Sequence, residues 1–137
     1  MNKDVDIMAK TIYGEARGEV DAGKKAIACV IMNRYKAKKW FSGRTIADTC
    51  LFKVKGSKYH QFSCWNEEDS NYKLLKSVNC LYLAEYVDIA EKFINGEYKD
   101  FTNGCTHYHT KQTSPYWAKG HLPAFEIGNH LFYNDIE

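Results

Sequence analysis

Apolar residues recur at Val5, Met8, Ala9 and Ile12, the i, i+3, i+4, i+7 spacing of one helix face. Gly14 follows and predicts the end of this first helix, as a C′ residue. A second helix is predicted from Asp21, a residue suited to an N-cap. It would carry the unbroken apolar run Ala26-Ile27-Ala28-Cys29-Val30-Ile31-Met32. Such a run also fits a buried strand, but no helix breaker stands between Lys24 and Trp40, so a central buried helix is expected. Thr45-Ile46-Ala47-Asp48 has the shape of a capping box, with Asp in place of Glu or Gln, and predicts a short helix. Residues 53–75 are polar and aromatic without a clear period. From Val78 to Ile94 a helix is predicted to bury Leu83, Ala84, Val87, Ala90 and Ile94, with Gly96 ending it. Beyond it the pattern changes: Thr106 to Thr110 reads as extended, Pro115 lies in a loop, and Ile127 to Tyr133 reads as a closing strand or turn. The expected fold class is mainly α (α+β) with minor extended structure. No repeat or linker divides residues 1–137, which predicts one domain.

A chain of 137 residues buries about two thirds of the surface its unfolded form exposes, so neither disulfide nor metal is required for stability. The net charge of +2 is too small to argue for nucleic acid. The one basic cluster, Arg34-Tyr35-Lys36-Ala37-Lys38-Lys39, is expected to be the solvated last turn of a helix, where cations suit the dipole. Mild basicity still favours approach to an anionic wall or membrane surface. The five cysteines, Cys29, Cys50, Cys64, Cys80 and Cys105, show no metal or redox spacing and read as reduced, buried thiols, with Cys29 and Cys80 on helix core faces. The first ten residues lack the apolar core of a signal peptide, and no run approaches transmembrane length. The expectation is a protein made in the cytoplasm, without stable membrane insertion, that meets an external substrate only after release. Aromatics at 15% suggest either a groove lined by flat side chains or a Tyr-rich surface.

Three clusters carry candidate chemistry. In Tyr13-Gly14-Glu15-Ala16-Arg17-Gly18-Glu19 a carboxylate stands at a helix C-terminus, where the dipole disfavours its ionised form. A carboxylic acid that keeps its proton is what glycosidic cleavage needs. Glu19, four residues on, is the candidate second carboxylate. A separation of about 5 Å would suit retention and about 6.5–9.5 Å inversion. The competing reading makes both solvated turn residues, with Arg17 pairing one and opposing the acid role. In Gln61-Phe62-Ser63-Cys64-Trp65-Asn66 two rings and the side chains of Gln61, Ser63 and Asn66 would form a sugar-binding wall. The alternative is that Phe62 and Trp65 anchor the core. The third cluster is Cys105, His107 and His109, with His121 and His130 downstream. His107 and His109 share one strand face. They read as orienting or substrate-contacting residues, or as plain satisfied histidines, in preference to a zinc site with Cys105 or His121, because the spacing matches no tight zinc signature. Tyr108, Tyr116 and Trp117 surround them, as groove lining or as packing.

The block from Tyr13 to Glu19, followed by Ala26 to Met32 and Asn33-Arg34, resembles the cell-wall hydrolase family of the spore cortex-lytic enzymes (SleB/CwlJ type). Gln61-Phe62-Ser63-Cys64-Trp65, Thr106-His107-Tyr108-His109 and Ile127-Gly128-Asn129-His130-Leu131-Phe132-Tyr133 look like its later blocks, in the family's order. The resemblance implies a lysozyme-like fold related to lytic transglycosylases. It implies cleavage of peptidoglycan glycan strands between N-acetylmuramic acid and N-acetylglucosamine, with Glu15 as the acid. Glu15 would protonate the glycosidic oxygen, then take the proton of the muramoyl C6 hydroxyl as a 1,6-anhydro ring closes. No cofactor and no second carboxylate is implied. Gln61, Phe62, Ser63, Trp65, His107, Tyr108 and His109 are the expected substrate contacts. Lacking a leader or wall-binding domain, the chain fits a monomeric phage endolysin that waits for holin-made holes. The alternatives are a hydrolytic muramidase using Glu19, a zinc-dependent amidase on His107, His109 and His121, and a non-catalytic wall-binding module.

Overall fold

A computed structural model describes residues 2–137, the side chain of Cys80 excepted. Five helices come first: α1 (Lys3–Ala16), α2 (Asp21–Ala37), α3 (Ile46–Cys50), α4 (Ser70–Ser77) and α5 (Cys80–Ile94). Three strands follow, β1 (His107–Thr110), β2 (Phe125–Ile127) and β3 (His130–Tyr133). They form an antiparallel sheet in the order β1-β3-β2, with His107 opposite Tyr133 and Phe125 opposite Phe132. Single 3-10 turns stand at Ser63–Trp65 and Tyr116–Ala118.

The predicted apolar face of α1 is buried: Val5, Met8, Ala9 and Ile12 all enter the core. Asn2 caps the helix by accepting the Val5 amide at 3.2 Å. Helix α1 runs further than its pattern predicts. Gly14 is not a C′ residue; it is helical, and Arg17 is the C-cap. The reason lies outside the helix, where Cys64 packs on Gly14 so closely that a Cβ there would stand 2.7 Å from the Cys64 Cβ. A glycine is therefore needed for contact, not for termination.

In α2 every residue from Ala26 to Ile31 is fully buried, as a helix surrounded by others must be. Val20, not Asp21, is its N-cap and makes no side-chain bond; Asp21 instead lies in the first turn and pairs with Lys25 at 2.8 Å. Thr45 caps α3 by accepting the Asp48 amide at 3.0 Å, and Asp4 of α1 accepts the Ala47 amide at 2.9 Å. Helix α4 has only Leu75 fully buried, so no apolar period announces it. In α5 the buried stripe is Leu83, Tyr86, Ile89, Ala90 and Phe93. It is rotated from the expected one: Ala84 is exposed, while Val87 and Ile94 only flank the core. The aromatic rings of Tyr86 and Phe93 claim the inward side because they bury more apolar area. Gly96 follows the cap with φ +84°, the left-handed conformation expected of it.

One cluster joins α1, α2, α5, Phe62, Cys64 and Phe132. Cys29, Cys50, Cys64 and Cys105 are free and buried within it. Burial pushes the Cys29 and Cys50 thiols up to about 12 and Cys105 to about 11, so they behave as small apolar side chains. The expected core placement of Cys80 lies outside the described side chains. Among the described residues no helix is long and apolar enough to cross a membrane.

Candidate active site

The last turn of α1 brings Glu15 into a cleft of about 310 Å³ between the 61–63 segment and β1. The carboxylate is half-buried and held at both oxygens. Oε2 accepts the Cys64 amide at 3.1 Å, and Oε1 accepts a short hydrogen bond from the Tyr108 hydroxyl. The first contact depends on Gly14, since only a residue without Cβ lets Cys64 approach α1 so closely. The second depends on strand alternation. Tyr108 lies on the face of β1 opposite that of His107 and His109. Burial, and then the charge and hydrogen bond of Glu15, push the Tyr108 phenol well above its ordinary range. Tyr108 is therefore fixed as a donor.

Beneath this pair lies Arg34, only 4% exposed. The expected solvated cluster thus begins with a core residue. Arg34 follows Ile27 and Val30 at i+7 and i+4, the buried side of α2, and that period was the available signal. Its Nε donates to the Thr106 carbonyl at 2.5 Å, and its guanidinium lies 4.6 Å from the Phe62 ring centroid. Burial pulls the guanidinium down, and the neighbouring Tyr108 hydroxyl oxygen and Glu15 carboxylate act against that pull. Among the described residues its Nη1 has no hydrogen-bond partner. The cation beside Glu15 is therefore Arg34. Arg17 does not line the cleft; it donates to Asn71 at the edge of the cleft and lies 5.6 Å from the Tyr13 ring centroid.

Gln61, Ser63, Tyr108 and His109 line the cleft with Glu15. Sequence reasoning missed Arg34, Asn71, Thr110 and Thr113, and left His130 without a role; all five line it too. Phe62, Trp65 and His107 do not. Phe62 is 1% exposed in the core under Arg34. Trp65 packs against the core and donates its Nε1–H to Thr11 Oγ1 at 2.9 Å. Asn66 also turns inward, accepting the His60 amide at 2.6 Å. His107 stands between Phe41 and Trp117, each with ring centroids 5.2 Å away. Burial, then the charges of Arg34 and Lys39, lower its pKa to about 3, so it is neutral.

The histidines do not converge. His109 stacks on Tyr133 at 5.3 Å and contacts the Tyr133 hydroxyl through Nε2 at 2.8 Å. His121 pairs with Asp135 at 3.0 Å. Among the described residues no three His, Cys, Asp or Glu side chains are grouped to hold a metal.

Glu19 belongs to a different contact. Its Oε1 accepts the Asn129 amide and lies beside His130 Nδ1, both at 3.3 Å. The His130 geometry satisfies distance but not hydrogen-bond direction, so the Asn129 amide is the firmer partner. A Cβ on Gly128 would stand 2.5 Å from this oxygen and displace the Glu19 carboxylate, and the φ of +55° at residue 128 also favours glycine in the turn between β2 and β3. Glu15 is left as the one carboxylate lining the cleft among the described residues.

The family model described as Cell Wall Hydrolase matches residues 18–133. The chain belongs to the cell wall hydrolase family. That match begins three residues after Glu15. Over 33 residues the chain is 54% identical to the spore cortex-lytic enzyme of Bacillus subtilis and 52% identical to that of Halalkalibacterium halodurans. Those stretches cover 24% of this chain and 11% and 10% of the two relatives, so the chain spans about a tenth of the length of the curated relatives it matches. In three dimensions it resembles the catalytic domain of the germination-specific lytic transglycosylase SleB from Bacillus anthracis. The TM-score is 0.68 at 22% identity, over 96% of this chain and 94% of that one. The catalytic domain of the Bacillus cereus SleB protein gives 0.64 at 23%, over 95% and 88%. This likeness is one of fold, and the expected mainly α, lysozyme-like architecture is the one observed.

Proposed function

We propose that this cell wall hydrolase cleaves peptidoglycan between N-acetylmuramic acid and N-acetylglucosamine as a lytic transglycosylase, with Glu15 as its acid and then its base. One observation carries the reading: among the described residues the cleft holds a single carboxylate, Glu15, with both oxygens oriented, while Glu19 is engaged by the Asn129 turn. A hydrolytic muramidase of the two-carboxylate kind needs a second acid facing the sugar. A transglycosylase does not, because the C6 hydroxyl of the substrate is the nucleophile.

In this mechanism Glu15 gives its proton to the glycosidic oxygen and the bond to the muramoyl C1 breaks. The resulting carboxylate meets the Tyr108 hydroxyl, the Cys64 amide and the buried Arg34 charge, all suited to stabilise it. It then accepts the C6 hydroxyl proton as that oxygen closes on C1. Gln61, Ser63, Asn71 and His109 are the groups that would meet sugar hydroxyls and amides.

Mass spectrometry of the fragments released from purified peptidoglycan tests the reading, with wild type beside Glu15→Gln. Anhydro-muropeptides from wild type alone are expected. Reducing-end muropeptides would replace the mechanism by hydrolysis, and free stem peptides would remove the glycosidase reading.

A further inference from the structure

Across the 60–65 segment from Glu15 lies a larger cavity, about 490 Å³, that the proposed reaction does not use. Its floor is apolar, made by Ile7, Leu51, Leu75 and the fixed indole of Trp65. Its rim carries Lys10, Lys53, Lys58 and Lys76, with Glu67 and Glu68 among them. Lys10 pairs with Asp6 at 3.3 Å and Lys58 with Glu68 at 3.5 Å. Among the described residues Lys53, Lys76 and Glu67 make no ion pair.

Three elements serve both hollows. Helix α1 gives Glu15 to the cleft and Lys10 to the cavity, five residues or about 7.5 Å apart along its axis. The 60–65 segment gives Gln61 and Ser63 to one, His60 and Trp65 to the other. Helix α4 gives Asn71 to the cleft and its neighbour Tyr72 to the cavity.

Resting on the reading of glycan cleavage at Glu15, we infer that this cavity binds the stem peptide of the wall substrate. The peptide hangs from the lactyl group of the muramoyl ring and carries free carboxylates, short aliphatic side chains and a dibasic residue. Five extended residues span about 17 Å, against about 7.5 Å between Glu15 and Lys10 along the axis of α1. Lys53 and Lys76 take the carboxylates, the apolar floor takes the aliphatic groups, and Glu67 takes the amine of the dibasic residue. A phosphate polymer of the wall would match the lysines but leave the floor and Glu67 without a role.

The test is calorimetric titration of a free stem tetrapeptide (L-Ala, D-Glu, diaminopimelate, D-Ala) into wild type and the Lys53→Glu/Lys76→Glu protein. Saturable binding by wild type is expected, weakened about tenfold in the double variant. No binding by wild type, equal affinity of the two proteins, or binding of purified teichoic acid in place of the peptide overturns the proposal. Cleavage gives a second readout. The ratio of kcat/KM on intact peptidoglycan to that on peptide-stripped glycan strands should fall about tenfold in the double variant; an unchanged ratio overturns the proposal. Should wild type bind the peptide yet release no glycan fragment from either substrate, the peptide site stands and the glycosidase reading falls.

Discussion

Glu15, in the last turn of α1, and Glu19, three residues beyond that helix, stand four residues apart, and a glycine shapes the contact of each: its own neighbour Gly14 for Glu15 and the distant Gly128 for Glu19. Gly14 lets Cys64 close on α1, so that a backbone amide reaches Glu15. Gly128 lets the turn between β2 and β3 close on Glu19, so that the Asn129 amide reaches it. The outcomes differ. Glu15 remains open to a cleft with a phenol and a guanidinium beside it, whereas Glu19 ties the C-terminal hairpin to the helical body. Residue type therefore does not separate a candidate acid from a structural tie; the partner segment does.

The sharpest way to break this comparison is at Glu15. Glu15→Gln keeps the shape and one acceptor oxygen for the Cys64 amide, with its amide group turned to the Tyr108 hydroxyl, but cannot cycle a proton, so kcat should fall by roughly 10²- to 10⁴-fold with at most a small fall in melting temperature. Activity near wild type would end the proposed mechanism.

The two faces of β1 offer the next test. His107 is buried opposite Tyr108 with its pKa lowered from 6.5 to about 3. Between those values the unfolded chain binds more protons than the folded one, so stability is full above about pH 6.5 and is lost as pH falls toward about 3. The loss is on the order of a few kcal/mol. Urea melts across that window should show the slope in wild type and a flatter one in His107→Phe; parallel profiles would remove His107 as its source.

Tyr108→Phe deletes the donor to Glu15 and should cost about 1.5–3 kcal/mol of transition-state stabilisation, roughly 10- to 150-fold in rate. The fold should survive, because the ring packing remains. Steady-state assays on soluble glycan fragments would read the loss, and an unchanged kcat would detach Tyr108 from the chemistry.

Gly14→Ala inserts a Cβ against Cys64 and should destabilise by about 1–3 kcal/mol while displacing the amide from Glu15. Thermal melts and rates should therefore fall together. Smallest of all, Glu19→Gln should cost about 1–2 kcal/mol of stability, by weakening the bond to Asn129, and leave kcat within a few fold. If Glu19→Gln instead abolished activity in a folded protein, the distinction between the two glutamates would collapse.

The apolar period of α1, the buried run of α2, the Thr45 cap, the extended character of 106–110 and a closing strand or turn over 127–133 were legible in the sequence. Each depends on contacts within a few residues or on one strongly periodic face. The same local chemistry drew attention to Glu15, Gln61, Ser63, Tyr108 and His109. Helix α4 was not legible, because one buried leucine makes no stripe, and Arg34 was misread because its charge outweighed its period. Which glutamate faces the cleft, which side of the 60–65 segment Trp65 takes, and which face of β1 meets α1 were decided only by tertiary structure. These choices join residues tens of positions apart, such as Glu15 with Cys64 and Tyr108, or Glu19 with Asn129. A local pattern fixes which way a side chain points from its own element, but it carries no information about what arrives from the other side.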